Sequence, residues 1–459
     1  MDVLTQIQRL INIKKSFINV LANIGYVVST FQEIISSIEN HKQGDLDKSL
    51  MSALTAEDKA VRMDESVYYL YERLFVQNET LLSSVDTLAS KSFYETNLVY
   101  FKSKPCNAAI NNAFNSCRSL MFAELDQATD CTTLNSTFRK CSNLVAVELP
   151  PSLDKCKDLS FTFQKCIALR KVNLPKQLPV CISMDCIFNG CKNLDDIEFT
   201  YLPKVGKLDS SFNGCRSLSS VTLPTEMPAL TSMNSTFQNC VSLSSVTLPT
   251  EMPALTTLSG AFQNCGSLST PLDIDCTNVL TIKYCNIFNG CKKIPSLTLH
   301  STVKFHYFKY FIYNCTSLTS VTGLDLSNAF LSVDEVKQVV AAYKGTISDA
   351  DAKNVYKQTS WLARTNTKLT NMPLQGTLYR SGFNIASCPL TAESLYTWFV
   401  ALYDWTNNPE TKTTDDTTHT LTVNTTSLAN MREYAPNDGV SGEEIYIQAI
   451  EKGWIIQTT

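Results

Sequence analysis

Histidine is scarce in this chain: four in 459 residues, at positions 41, 300, 306 and 419. A Ser-His or Cys-His pair must recruit one of them, and none sits in a local catalytic signature. A glycine-rich phosphate loop and an HExxH helix are also missing. Adjacent acids occur at Asp195-Asp196 and Glu443-Glu444, the kind of pair that an element's surface leaves solvated. The expectation is therefore no enzyme, no cofactor and no metal. Lysine and arginine form no cluster and the net charge is −4, which argues against nucleic-acid binding, where phosphate neutralisation supplies much of the affinity. No apolar run approaches the roughly 20 residues of a membrane span. The start, Met1-Asp-Val-Leu-Thr-Gln-Ile7, lacks the basic region and apolar run of a signal peptide.

What is abundant is cysteine, 17 in all, and it is periodic. Phe-x-x-Cys-x-x-Leu begins at Phe114, Phe138, Phe163, Phe188, Phe212, Phe237 and Phe262, and the variants Phe288/Cys291/Ile294 and Ile312/Cys315/Leu318 follow. These nine cysteines recur every 24 to 26 residues. Such a period belongs to units too small to bury their own apolar face, which stack on their neighbours. After each motif comes a short apolar alternation, as in Leu144–Leu149, Leu169–Leu174, Leu194–Phe199, Leu218–Leu223 and Leu243–Leu248, with a proline close behind (Pro150, Pro175, Pro203, Pro224, Pro249). That pattern predicts one strand per repeat in a parallel stack. Nine rungs at roughly 4.8 Å each span about 40 Å. Residues 217–231 and 242–256 are identical, the mark of unit duplication.

A second cysteine column, Cys106, Cys131, Cys156 and Cys181, is continued by Val205, Leu230 and Leu255. A position that accepts Cys, Val or Leu is a core position. Neighbouring rungs lie near disulfide spacing, but the odd count and a chain large enough to build a core favour buried free thiols. Cys285, Cys291, His300 and His306 do not match the spacing of a zinc module.

The repeat, with its Phe-x-x-Cys, Leu and Leu-Pro strand ending, resembles the BspA-like leucine-rich repeats of surface adhesins and phage structural proteins. The resemblance covers about residues 106–323 and implies a curved solenoid that binds other macromolecules. If the strand face does the binding, its outward residues are Glu148, Lys171, Asn173, Asp196, Glu198, Ser220, Thr222, Ser245, Thr247, Thr298 and Thr322. The row passes from charged residues to hydroxyls, suited to a host surface protein or glycan. Ser and Thr equally suit any exposed strand.

Ahead of the repeats the period is a heptad. Val3, Ile7, Leu10, Phe17, Leu21 and Ile24 alternate three and four apart, with Lys14 in the remaining seam position and Gly25 as a helix stop. A second helix is predicted from Thr30, and a third over Thr55 to about Ala89 with Val67, Leu70, Leu74, Leu81, Val85 and Leu88 along one side. Such a seam serves equally to cap a solenoid or to assemble copies. Ile7-x-Arg9-Leu10-x-x-Ile13-Lys14-x-x-Phe17-x-x-Val20-Leu21-x-x-x-Gly25-Tyr26-x-Val28 resembles the opening helix of phage tail and virion-appendage proteins, departing at Ile13, Val20 and Ile24. The resemblance implies attachment to a virion through residues 1–100 and a homo-oligomer, trimeric or larger.

From Leu324 the beat stops. Leu324–Val336 and Phe383–Leu395 each read as a short strand, a Ser or Thr cap, an acid and an apolar helix. Between them, residues 346–380 form a polar insert holding Trp361 and Tyr379. A Thr-rich strand at His419–Val423 and the ending Lys452-Gly453-Trp454-Ile-Ile456 complete the chain. That ending is similar to the segment that follows BspA-like repeats in phage and gut-bacterial surface proteins.

The expected fold class is α+β multidomain: a helical, coiled-coil attachment region (1–100), a BspA-like leucine-rich-repeat solenoid (101–323) and a small α/β cap (324–459). The expected role is a non-enzymatic virion appendage that contacts other virion proteins through residues 1–100 and a host receptor through the solenoid. The runner-up is a cellular BspA-like adhesin or interaction scaffold, and a third reading is a purely architectural virion protein, which the sequence does not separate from a receptor binder.

Overall fold

The structure is a computed structural model that describes residues 81, 83–101, 104–275, 279, 286–300, 310–327, 332–342, 347–358, 365–407, 418–437 and 439–459. The expected seam of Val3, Ile7, Leu10, Lys14, Phe17, Leu21 and Ile24 lies outside the described residues, as do Cys285, His306 and Trp361. The chain divides into two compact units, one of Met1–Cys156 with Phe161–Pro175, the other of Lys157–Ser160 with Lys176–Thr459.

In the first unit each Phe-x-x-Cys is a tight turn. The Cys117 N–H donates to Phe114 O at 2.9 Å and the Leu120 N–H to Cys117 O at 3.1 Å. The turn is bounded by left-handed residues two before and two after the phenylalanine: Asn112 and Ser116, Ser136 and Lys140, Phe161 and Lys165. Left-handed backbone is rare for side-chain-bearing residues, so the rung-to-rung bonds must hold it. Asn112 N–H and Ser116 N–H do so, donating to Asn135 O and Arg139 O of the next rung at 3.0 and 2.7 Å. The rings stack: Phe93 on Phe114, Phe114 on Phe138 and Phe138 on Phe163, with centroids 5.6, 5.1 and 5.6 Å apart. All four are buried, each contributing about 1.5–3 kcal/mol of apolar burial. Strands β1 (Tyr100–Phe101), β2 (Phe122–Glu124) and β3 (Ala146–Glu148) pair in parallel, with Ala123 opposite Val147 and Glu124 opposite Glu148.

Two expectations are corrected here. The helix predicted to run to Ala89 does not: Leu88 bridges to Cys106 and its N–H donates to Pro105 O at 2.7 Å. Leu88, Phe93, Leu98 and Phe101 are all buried, because they form a turn like the others, with left-handed residues at Lys91 and Glu95. Residues 169–175 form no strand. There the Asn173 side chain takes the place of backbone, accepting from the Leu149 N–H at 2.9 Å and donating to Leu149 O at 3.3 Å.

The second unit repeats the plan. Strands β4 (Asp196–Glu198), β5 (Ser220–Thr222) and β6 (Ser245–Thr247) form one parallel sheet, and β7 (Leu272–Asp275), β8 (Ser296–His300) and β9 (Ser320–Thr322) another. Phe188, Phe212, Phe237, Phe262 and Phe288 stack at 5.3–5.8 Å. A carboxylate and an amide staple successive turns on another side: Asp209 Oδ1 accepts from Asn234 N–H at 2.8 Å and Asn234 Oδ1 from Ser259 N–H at 2.9 Å.

Beyond the repeats, β10 (Leu324–Asp325) pairs with β11 (Leu374–Gln375), and β12 (Phe383–Asn384), β13 (His419–Val423) and β14 (Trp454–Thr458) form a parallel sheet. The predicted caps are present. Ser332 Oγ accepts from Glu335 N–H at the start of α1 (Val333–Ala342), and Thr391 Oγ1 from Ser394 N–H at the start of α3 (Ala392–Val400). The polar insert holds a helix, α2 (Asp349–Gln358), tied to α1 by a Lys337–Asp349 ion pair at 2.8 Å. Helices α4 (Thr425–Arg432) and α5 (Gly442–Glu451) follow, capped by Asn424 and Ser441. Trp398 and Trp454, both buried, donate to Met372 O and Tyr403 O at 2.8 Å. No helix among the described residues is long and apolar enough to cross a membrane.

Candidate binding face

The cysteine column explains how the strands are held. Eight thiols of that column, those of Cys117, Cys141, Cys166, Cys215, Cys240, Cys265, Cys291 and Cys315, donate to the carbonyl of a phenylalanine one rung earlier. Cys141 Sγ reaches Phe114 O and Cys166 Sγ reaches Phe138 O, both at 3.0 Å. In the second unit Cys240, Cys265 and Cys291 reach Phe212 O, Phe237 O and Phe262 O, again at 3.0 Å. Burial pushes the Cys240 and Cys315 thiols up to about 12 and those of Cys141, Cys215, Cys265 and Cys291 well above their ordinary value. They stay protonated at neutral pH and therefore remain donors. The described cysteines are free; of the second column, Cys131, Cys156, Cys181, Val205, Leu230 and Leu255 are buried, whereas Cys106 at its start is half-buried.

With that column fixed, the strands present in-register rows. Asp196, Ser220 and Ser245 stand opposite one another, as do Glu198, Thr222 and Thr247, with Ile197, Val221 and Val246 between them. Ile197 and Val221 are buried, and Val246 is half-buried. Asp196 Oδ1 accepts from Ser219 Oγ at 2.7 Å and Ser220 Oγ at 3.1 Å, and Glu198 pairs with Lys176. The latter pair is exposed and worth at most about 1 kcal/mol. On the next sheet Thr298 and Thr322 are opposite, their hydroxyls 3.4 Å apart. In the first unit Glu148 is half-buried, and burial first, then the Glu124 and Asp126 charges, raise its carboxyl above the usual value. Lys171 and Asn173 join no row, because their segment is not a strand and Asn173 is bonded to Leu149.

A profile of the BspA type leucine rich repeat region matches overlapping segments 66–194, 111–233, 160–279 and 204–333, more than half of the chain. The chain belongs to the BspA type leucine-rich-repeat family. Among solved structures it is similar to a leucine rich repeat protein of T. pallidum (22% identity, 40% of this chain and 72% of that one, TM-score 0.28) and one of Bacteroides ovatus (18%, 61% and 78%, TM-score 0.32). A third is a leucine rich cell surface protein of Faecalibacterium prausnitzii (15%, 61% and 88%, TM-score 0.28). No curated protein matches.

BspA-type repeats are binding scaffolds, typically non-enzymatic, suited to protein interaction or adhesion and often found at cell surfaces. Three residues belong to the face of this BspA-type array that sequence reading left out. Glu124 stands opposite Glu148 and takes a hydrogen bond from Tyr100 at 2.9 Å; Asp273 stands opposite Thr298; and Asn371 Nδ2 donates to Ser320 Oγ at 2.9 Å. No group of three or more metal-ligating side chains gathers among the described residues.

Proposed function

We propose that this protein is a virion appendage of a tailed phage, attached through residues 1–100 and binding a host surface protein or glycan through the strand face of its repeats. The domains are then 1–100 for attachment, with its last residues from Leu88 onward forming the first turn of the array, 101–323 for display and 324–459 as the α/β cap. The observation that carries the binding half is the pair of in-register rows, Asp196-Ser220-Ser245 and Glu198-Thr222-Thr247. These side chains offer donors and acceptors at the strand spacing, which suits an extended partner surface. The heptad Val3, Ile7, Leu10, Phe17, Leu21, Ile24 and its resemblance to virion-attachment helices support the other half. Several copies on one particle turn weak contacts into avidity. Free thiols in an external protein fit assembly inside a reducing cytoplasm followed by release through lysis.

Light scattering of the full chain under reducing conditions tests the reading. A trimer or larger is expected, falling to a folded monomer when Ile7, Leu10, Phe17 and Leu21 are all replaced by aspartate. A monomeric wild type contradicts the appendage and favours a cellular adhesin.

A further inference from the structure

The C-terminal part of the second unit holds a cleft that the strand-face reading does not use. It opens between the turn after β11, the C-terminal end of α3 and the residue that caps α5, with a volume of about 550 Å³. That lies within the range of roughly 300–1,000 Å³ typical of small-molecule sites. We infer that this cleft binds a neutral saccharide, whose C–H face rests on Tyr396, Val400 and Tyr403 and whose hydroxyls bridge Asp404 and Lys452.

The apolar wall is unusual for a helix end. Leu395, Trp398 and Phe399 of α3 turn into the core, yet Val400 is 49% exposed and lines the cleft. Both tyrosines are fixed in place. Tyr396 donates from its hydroxyl to Val440 O at 2.9 Å and meets Tyr434 edge-on at 5.5 Å. Tyr403 packs against Tyr379 at 4.7 Å and edge-on against Trp405 at 4.8 Å. Immobilised aromatic rings give a ligand a flat apolar surface at small entropic cost.

The rim decides the class of ligand. Asp404 is held by three hydrogen bonds, from Thr406 N–H at 3.1 Å and from the Asn407 N–H and Nδ2, both at 2.8 Å. These bonds and the nearby Lys452 charge keep its carboxyl below the usual range, so it is a fixed anion. Lys452 lines the same cleft and forms no ion pair among the described residues. An anionic ligand meets Asp404 and a cationic one meets Lys452. A wholly apolar ligand offers neither charge a partner. A neutral polyol satisfies the pair, because each hydroxyl donates to a carboxylate and accepts from an ammonium. Thr377 also lines that wall.

The test uses the full chain, titrated calorimetrically with lactose, maltose and cellobiose, with sialyllactose as an anionic sugar and a capped apolar hexapeptide as the peptide probe. At least one neutral disaccharide is expected to bind with a Kd on the order of 1 mM. Val400→Arg is expected to weaken it about tenfold or more without changing the thermal midpoint, since the side chain is already half exposed, and Lys452→Met to do likewise. Thr222→Arg on the strand face should leave it unchanged, which separates this site from the proposed adhesive face. Absence of binding by all three neutral sugars overturns the inference. So does binding of sialyllactose or the hexapeptide alone, or sugar binding that survives Val400→Arg.

Discussion

Replacing Cys240 by alanine removes one sulfur from the centre of the second unit. The thiol is fully buried and donates to Phe212 O at 3.0 Å, a carbonyl that also accepts from the Cys215 N–H at 3.1 Å. Alanine does not orphan that carbonyl, so the loss is one weak hydrogen bond, about 0.5–1 kcal/mol. The lost sulfur adds roughly the value of a buried methylene, about 0.8 kcal/mol, and the void it leaves adds several tenths more. The expected cost is about 1.5–2 kcal/mol. Serine keeps a donor in the same place and should cost less, about 1 kcal/mol or below. At the first turn Thr96 occupies the cysteine position, its hydroxyl donating to Phe93 O of its own turn at 2.9 Å, so this position of the array already accommodates a hydroxyl. Urea unfolding of wild type and both variants measures the order, through the midpoint at constant slope. An alanine variant within about 0.5 kcal/mol of wild type, or a serine variant worse than alanine, refutes the role given to the thiols.

Gly323 has φ +74°, and a Cβ there meets Leu299 O at 1.8 Å; Gly323→Ala is therefore expected to cost about 3 kcal/mol or more, read as a lowered thermal midpoint. Deleting residues 217–241 joins Arg216 to Ser242 and sets Ser245 opposite Asp196, so the chain should still unfold cooperatively, losing about 1–4 kcal/mol for 25 residues, whereas deleting 217–228 should abolish folding. Glu148 has a raised carboxyl pKa in the folded state, from burial and from Glu124 and Asp126, so the folded form binds its proton more readily than the unfolded one. Stability should fall as pH rises from the ordinary carboxylate range through that raised value, and Glu148→Gln should flatten this dependence in pH-resolved melting curves.

The parts of the fold that were legible in the sequence are those where one residue type recurs for one physical reason. Phe, Cys and Leu repeat because each fills the same small space and, for cysteine, because the same carbonyl waits for a donor. The first turn, at Phe93, was hidden because Thr96 stands where the other turns have cysteine and bonds within its own turn. The strand expected over 169–174 failed for a reason no alternation reveals, since Asn173 competes with backbone for both polar groups of Leu149. Glu124 was missed because Ala123 stands where other strands have a branched residue. Asp273 was missed because the 26-residue interval from Cys265 to Cys291 shifts its strand out of frame. The C-terminal caps were readable, because Ser332 and Thr391 act locally on the amides three residues on. The cleft beside α3 was not, because Tyr396, Asp404 and Lys452 are brought together only by the packing of α3 against α5.

The strand face is proposed as the adhesive surface, a role with a direct readout on cells. It is tested most directly by flow cytometry of fluorescently labelled full-length protein on a panel of bacterial strains, comparing wild type with Thr222→Arg/Thr247→Arg. Saturable binding of wild type to at least one strain is expected, with a loss of about tenfold or more in the variant at unchanged thermal midpoint. Equal binding by the two proteins, or no binding by wild type to any strain, contradicts it.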